Sequence, residues 1–169
     1  MKVIEVIMRR ALAVQLLAIG GVSVASAQTV PARIEIVRDG VAPFVITGTE
    51  LAAMPHTTVQ ASDHGKPVTF SGVPFVTLLR RAGVAVDSLK GPMLSSIVVA
   101  TATDGYRATF SKGELAPDLG RTLVYVVDQH DGAPLAAAEG PIRLVVPGDQ
   151  RPARWVRQVI RIAVRRVEP

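Results

Sequence analysis

Arginine crowds the chain from residue 143 onward, where Arg143, Arg151, Arg154, Arg157, Arg161, Arg165 and Arg166 are accompanied by only two acids, Asp149 and Glu168. A guanidinium presents a planar fork of donors that matches phosphate or carboxylate by two-point contact. Arg143, Arg151, Arg154 and Arg157, gathered about the Gly148-Asp149-Gln150 segment, are therefore the candidate cofactor- or anion-binding residues. The plainer reading gives Arg143 a structural carboxylate partner and leaves the others solvated on an edge strand, where basic side chains guard against edge-to-edge association.

Other polar residues offer weaker chemistry. Ser62 and Asp63 carry oxygen donors that could complete a metal site, yet the same residue types are favoured in tight turns for local backbone bonding. His56, His64 and His130 lack the spacing of a metal-ligand pair, and no cysteine joins them. Asp63 beside His64 could form an acid/base dyad, but no nucleophile accompanies it, and a loop histidine on the surface is the ordinary case. Tyr106 and Trp155 each offer an aromatic body with a polar tip, suited either to a half-wet cleft or to core and corner packing. No residue is assigned a catalytic role.

The elements that must position these groups read as α+β, with mixed β-sheets and short helices. Residues 34–37 alternate as a strand closed by Asp39-Gly40. Thr47 and Glu50 have capping-box spacing before a brief helix over 51–54 that Pro55 ends, and Ser111 and Glu114 repeat the spacing. Residues 57–61 and 67–70 flank a four-residue turn over 63–66, and residues 97–103 and 107–110 flank Asp104-Gly105, so each pair reads as a hairpin. The spacing predicts a helix over 72–83, with Pro74 in its first turn, Val76, Leu79 and Ala82 on one face and Gly83 as its left-handed end. Residues 123–127 and 142–146 are near-continuous apolar strands, with His130-Asp131-Gly132 turning between them. The last strand, over 159–167, sets Ile160, Ile162 and Val164 opposite Arg161 and Arg165. Without a regular βαβ period, a doubly wound sheet is not expected.

Composition bounds the setting. Residues 1–27 read as an export signal, with Arg9 and Arg10 before an apolar run too short to span a bilayer and Ala25-Ser26-Ala27 as a cleavage site. Residues 28–169 then form a single domain, expected in the periplasm or outside the cell and without a membrane span. With no cysteine, and with 49% hydrophobic residues over the full chain, that domain must owe its stability to its core. The formal charge of +5 falls to +3 once Lys2, Arg9, Arg10 and Glu5 leave with the signal, and aromatics are not interleaved with the basic residues, so nucleic acid is not an expected partner.

Several ordered landmarks resemble one family. They are Gly72-Val73-Pro74 with Leu78-Leu79, Asp104-Gly105-Tyr106 with Glu114-Leu115, and Asp131-Gly132-Ala133-Pro134-Leu135 leading into Gly140-Pro141-Ile142-Arg143-Leu144-Val145-Val146-Pro147. Together they resemble the oxidoreductase molybdopterin-binding domain of sulfite oxidases and periplasmic methionine sulfoxide reductases. The resemblance implies that fold and a molybdenum held by a pterin dithiolene and one cysteine thiolate, the cysteine lying near residues 59–64. This chain has no cysteine, so thiolate ligation is excluded. Three readings follow. In the first, a cysteine-less exported scaffold binds a small anionic ligand or a periplasmic protein partner, with no cofactor expected. The second is a true molybdopterin enzyme with Ser62 or Asp63 as oxygen ligand, which Arg9-Arg10 would suit as a twin-arginine export pair. The third is a secreted interaction domain with a vestigial pocket.

Overall fold

The computed structural model describes residues 32–167; the expected export signal lies outside them. In chain order the elements are β1 (Arg33–Arg38), β2 (Val41–Thr47), α1 (Gly48–Ala52), β3 (Thr57–Asp63), β4 (Lys66–Pro74), α2 (Phe75–Arg81), β5 (Ser96–Ala102), β6 (Arg107–Ser111), α3 (Lys112–Leu115), β7 (Tyr125–His130), β8 (Ala133–Pro134), β9 (Arg143–Val145) and β10 (Val159–Arg166). Single turns of 3₁₀ helix occupy Gly91–Ser95 and Pro152–Arg154.

Two sheets share one core. The first runs β2-β1-β10-β5-β6, and the second runs β3-β4-β7-β8 with β9 also paired to β7. Every pairing is antiparallel except β1 with β10, which joins the two ends of the described chain in parallel. Alternation places Ile34, Ile36, Val98, Ala100, Phe110 and Ile162 of the first sheet inward, where Val59, Phe70, Val73, Val126 and Leu144 of the second join them in one buried cluster. This is the α+β architecture expected from the sequence.

Both capping boxes form: the Thr47 and Ser111 hydroxyls accept from the amides of Glu50 and Glu114, whose carboxylates accept in return from the cap amides. Those bonds from Thr47 hold the Glu50 carboxyl below the usual carboxylate range. The β3–β4 turn is tighter than the expected four residues. His64 and Gly65 alone turn the chain, with φ of 50° and 82°, so the strands reach Asp63 and Lys66. Two successive left-handed residues match the twist of a two-residue hairpin, and glycine takes the second position without a Cβ penalty.

Three expectations need correction. The helix begins at Phe75, because residues 66–74 continue β4 and Pro74 caps the helix from extended backbone. Its buried face is therefore Phe75, Leu78 and Leu79 with Ala82 beyond its end, while Val76 is half-buried. Arg151, Arg154 and Arg157 lie in the connection before β10 and not on an edge strand, and β10 itself is the central strand of its sheet, so none of them guards an open edge. A register shift between Val159 and Arg161 turns Val159 inward and leaves Ile160 44% exposed, breaking the simple alternation there. Finally, β2 was not anticipated. It carries Pro43, a residue that only an edge strand tolerates, and it lies at the sheet edge.

Gly72 is where the second sheet tolerates no side chain. A Cβ there would overlap the Val126 carbonyl oxygen and sit 2.6 Å from Val127 Cα, at the β4–β7 register shift. Gly72→Ala is expected to lower unfolding stability by about 3 kcal/mol in urea titration, the upper range for overpacking. Ser111→Ala removes a cap and is expected to cost about 1 kcal/mol in the same measurement. Since the Glu50 carboxyl is depressed in the folded chain, the α1 cap's contribution is present at neutral pH and lost on acidification, checked by comparing the pH dependence of stability in Glu50→Gln.

Candidate functional site

One cavity collects most of the residues the sequence singles out. It opens where three connections meet: the β3–β4 turn with His64, the β5–β6 turn with Asp104 and Tyr106, and the β9–β10 segment with Arg151, Pro152, Ala153, Trp155 and Arg157. Arg143 of β9 also lines it, and its volume of about 430 Å³ is of the size that takes a small ligand.

The β9–β10 segment is fastened on every side. Leu144 donates to the Val156 carbonyl at 2.8 Å, Val159 to Ile142 at 2.9 Å, and the Trp155 indole to Val146 at 2.9 Å. Gln158 donates to the carbonyls of Glu139 and Ala137, and its side-chain oxygen accepts from the Thr103 hydroxyl. Across the cavity mouth the Tyr106 hydroxyl donates to the Ala153 carbonyl, which ties the β5–β6 turn to the arginine-bearing segment. Tyr106 is 49% exposed and Trp155 is buried, so the first walls the cavity from solvent and the second from the core.

Arg143 is the central group. Only 1% of it is exposed, and its guanidinium lies 5.3 Å from the ring centroids of both Phe70 and Trp155. Its Nη1 donates to Glu139 Oε1 at 2.8 Å, its Nη2 is 3.7 Å from Asp63 Oδ2, and its Nε is buried without a partner. Burial pushes the guanidinium's pKa down; Glu139 and Asp63 oppose that, and neighbouring Arg157 adds to it. It nonetheless stays charged, as arginine does in proteins. Arg143 thus makes the structural ion pair of the plainer reading and also forms part of the cavity wall.

The other three candidates divide. Arg151 and Arg157 are exposed at the cavity, and no carboxylate among the described residues pairs with either. Arg154 points elsewhere. It holds Asp149 through Nε and Nη2 at 2.9 and 2.6 Å and Glu114 through Nη1 at 2.8 Å, and it lies 5.1 Å from the Phe110 centroid. Those bonds, Asp149's first, raise its pKa. With its donors spent on carboxylates, Arg154 locks the segment to α3 and does not line the cavity.

Of residues 59–64, only His64 reaches the cavity. Ser62 is exposed and lies on the opposite face of β3 from Asp63, whose carboxylate turns toward Arg143. His56 is tied to the Met54 carbonyl and to Asp128 Oδ1, and His130 stacks on Phe70 at 4.6 Å. Among the described residues no three His, Asp or Glu side chains come together as a metal site. Sequence reasoning missed Glu139, although an acid four residues before Arg143 was the available signal, and it missed Asp104 as a cavity residue. Asp104 is itself committed, since its Oδ1 accepts from the Tyr106 amide at 2.8 Å.

The chain's likeness to known proteins agrees with this geometry. Its fold is similar to the crystal structure of the sulfane dehydrogenase SoxCD from Paracoccus pantotrophus, with a TM-score of 0.60 and 23% sequence identity. The match covers 82% of this chain and 39% of that one, so the chain spans well under half the length of its structural neighbour. No curated protein matches it. The family model described as the oxidoreductase molybdopterin binding domain matches residues 47–169, a stretch that contains every wall of the cavity, and the chain belongs to that family.

Proposed function

We propose that this chain is an exported member of its family that holds a small anion bearing phosphate or carboxylate between Arg143, Arg151 and Arg157, and carries out no chemistry through thiolate-bound molybdenum. The observation that supports this most is Arg143, a buried guanidinium in the cavity wall whose Nε has no partner among the described residues. An unsatisfied buried donor is costly, and a bound anion oxygen or a water would relieve it. Arg151 and Arg157 supply exposed charge that attracts an anion, while Tyr106 and Trp155 offer flat walls to a planar body.

A pterin phosphate fits the arginine side of this cavity, and Arg143, Arg151 and Arg157 would hold it. The metal end does not fit. When bound in this family, molybdenum supplies redox chemistry from a site completed by a cysteine. Here the chain has none, and among residues 59–64 only an exposed histidine lines the cavity. Neither Ser62 nor Asp63 is disposed as an oxygen substitute, so no step is derived through the metal. The same absence favours a binding role over electron transfer.

Calorimetric titration with inorganic pyrophosphate tests the arginine assignment. Replacing Arg151 and Arg157 together by alanine is expected to weaken binding more than tenfold, since each charged hydrogen bond is worth about 1.5–3 kcal/mol. Arg154→Ala should change it little. Equal affinity in the double variant would remove both residues from the site, and no binding by the parent protein would leave the cavity vestigial. Protein purified from its native compartment is further expected to lack stoichiometric molybdenum. Finding the metal with a releasable pterin, and losing it in Ser62→Ala or Asp63→Ala, would establish oxygen ligation in place of this proposal.

A further inference from the structure

Among the described residues, four of the five buried side-chain atoms without a hydrogen-bond partner belong to one cluster: Arg143 Nε, Asp63 Oδ1, Glu139 Oε2 and His130 Nε2. Such atoms are rare in folded proteins, and their gathering around one arginine calls for a physical cause. Glu139 stands between a guanidinium and an imidazole. Its Oε1 accepts from Arg143, while its Oε2, unsatisfied, lies 3.4 Å from His130 Nδ1. On the other edge of the imidazole, Nε2 lies 3.7 Å from Asp131 Oδ2. A neutral imidazole donates from one nitrogen only, so one of these two edges then presents a lone pair to a carboxylate oxygen; the imidazolium donates from both.

We propose that His130 is a positioning residue that couples a proton to anion binding in the cavity. The inference rests on the anion-site reading given above. The charged groups facing His130 are Glu139 from the segment before β9, Asp131 in the turn after β7, and, through Glu139, Arg143 of β9, which Asp63 at the end of β3 also approaches. Phe70 of β4 covers the ring face. Around the cavity, Arg143, Arg151 and Arg157 are balanced by Asp63, Glu139 and Asp104, so the site is near neutral while His130 is neutral. A proton on His130 leaves a net positive charge and draws Glu139 Oε2 toward the imidazolium, which loosens Glu139's hold on Arg143 and frees that guanidinium for the anion. Asp131 offsets little of this, being 67% exposed and screened by solvent.

The sign follows from the charges: the protonated form binds the anion more tightly, so affinity rises as pH falls and binding takes up protons. Sulfate is the probe, because its own charge is constant across the pH range tested. On the full mature chain, the dissociation constant for sulfate is expected to fall about tenfold from pH 8 to pH 5.5, within the usual span of coupling between sites. Titration at pH 6.5 in two buffers of different ionisation heat should show net proton uptake. In His130→Gln, whose folding is checked by its thermal transition, most of the pH slope should vanish while the pH 8 affinity stays near that of the parent. His56→Gln should keep the slope, since His56 is tied to the Met54 carbonyl and to Asp128 and does not line the cavity. Sulfate binding with an undiminished slope in His130→Gln overturns the coupling and leaves the anion site standing. If that variant fails to fold, absence of proton uptake by the parent overturns the coupling by itself. No sulfate binding at any pH, together with no pyrophosphate binding, overturns the anion site and the coupling with it.

Discussion

A buried guanidinium fixes the architecture of this protein's cavity. Arg143 sits in a short strand paired only to β7, and its charge must be neutralised without water. Leaving one member of such a pair alone in the interior costs several kcal/mol, so the surroundings are constrained to supply partners. Glu139 supplies the carboxylate, Phe70 and Trp155 supply polarisable faces, and Asp63 brings a second negative charge from the tip of another hairpin. Those four contributors come from three stretches of chain, since Asp63 and Phe70 share the β3–β4 hairpin. Their convergence draws the β3–β4 hairpin, the segment before β9 and the β9–β10 connection to one place.

Around that centre the protein separates stiffness from availability. Arg154 and Trp155, adjacent in sequence, both serve stiffness: one clamps two carboxylates, the other anchors its indole on the Val146 carbonyl. Arg151 and Arg157, on either side of them, stay open to the cavity. A segment held this way can present charge at fixed positions, because each cavity-lining arginine lies within a few residues of one whose donors are already spent. This explains how a cavity built largely from connections between strands keeps a defined wall.

No cysteine thiolate is available in this chain, and yet the polar centre around Arg143 is complete, with Glu139 and Asp63 both against it. That arginine wall is intelligible on packing grounds alone, since Arg143 and its partners hold three stretches of chain together. It is equally what an anion site needs. The two roles share the same atoms, so the absence of a thiolate does not by itself release the residues around Arg143.

Local signals were legible from residue order. The two capping boxes, the Asp104-Gly105 and Asp131-Gly132 turns and the alternating strands could be read because each depends on backbone bonding or side-chain direction within a few residues. The near-continuous apolar runs likewise marked strands of the second sheet, and the ordered landmarks carried the family and its α+β fold. Sequence could not assign the four arginines. Their shared donor chemistry is identical, and what separates Arg154 from Arg157 is which carboxylates the fold brings within 3 Å, a matter of contacts up to 40 residues apart. Strand order was equally hidden, since the place of β10 between β1 and β5 is set by pairing between the two ends of the chain. Residue types and their spacing determined the elements, the missing thiolate and the stock of charge; only the tertiary structure decided which of those charges are consumed in holding the fold and which remain facing the cavity, because long-range proximity, and not composition, satisfies a buried ion.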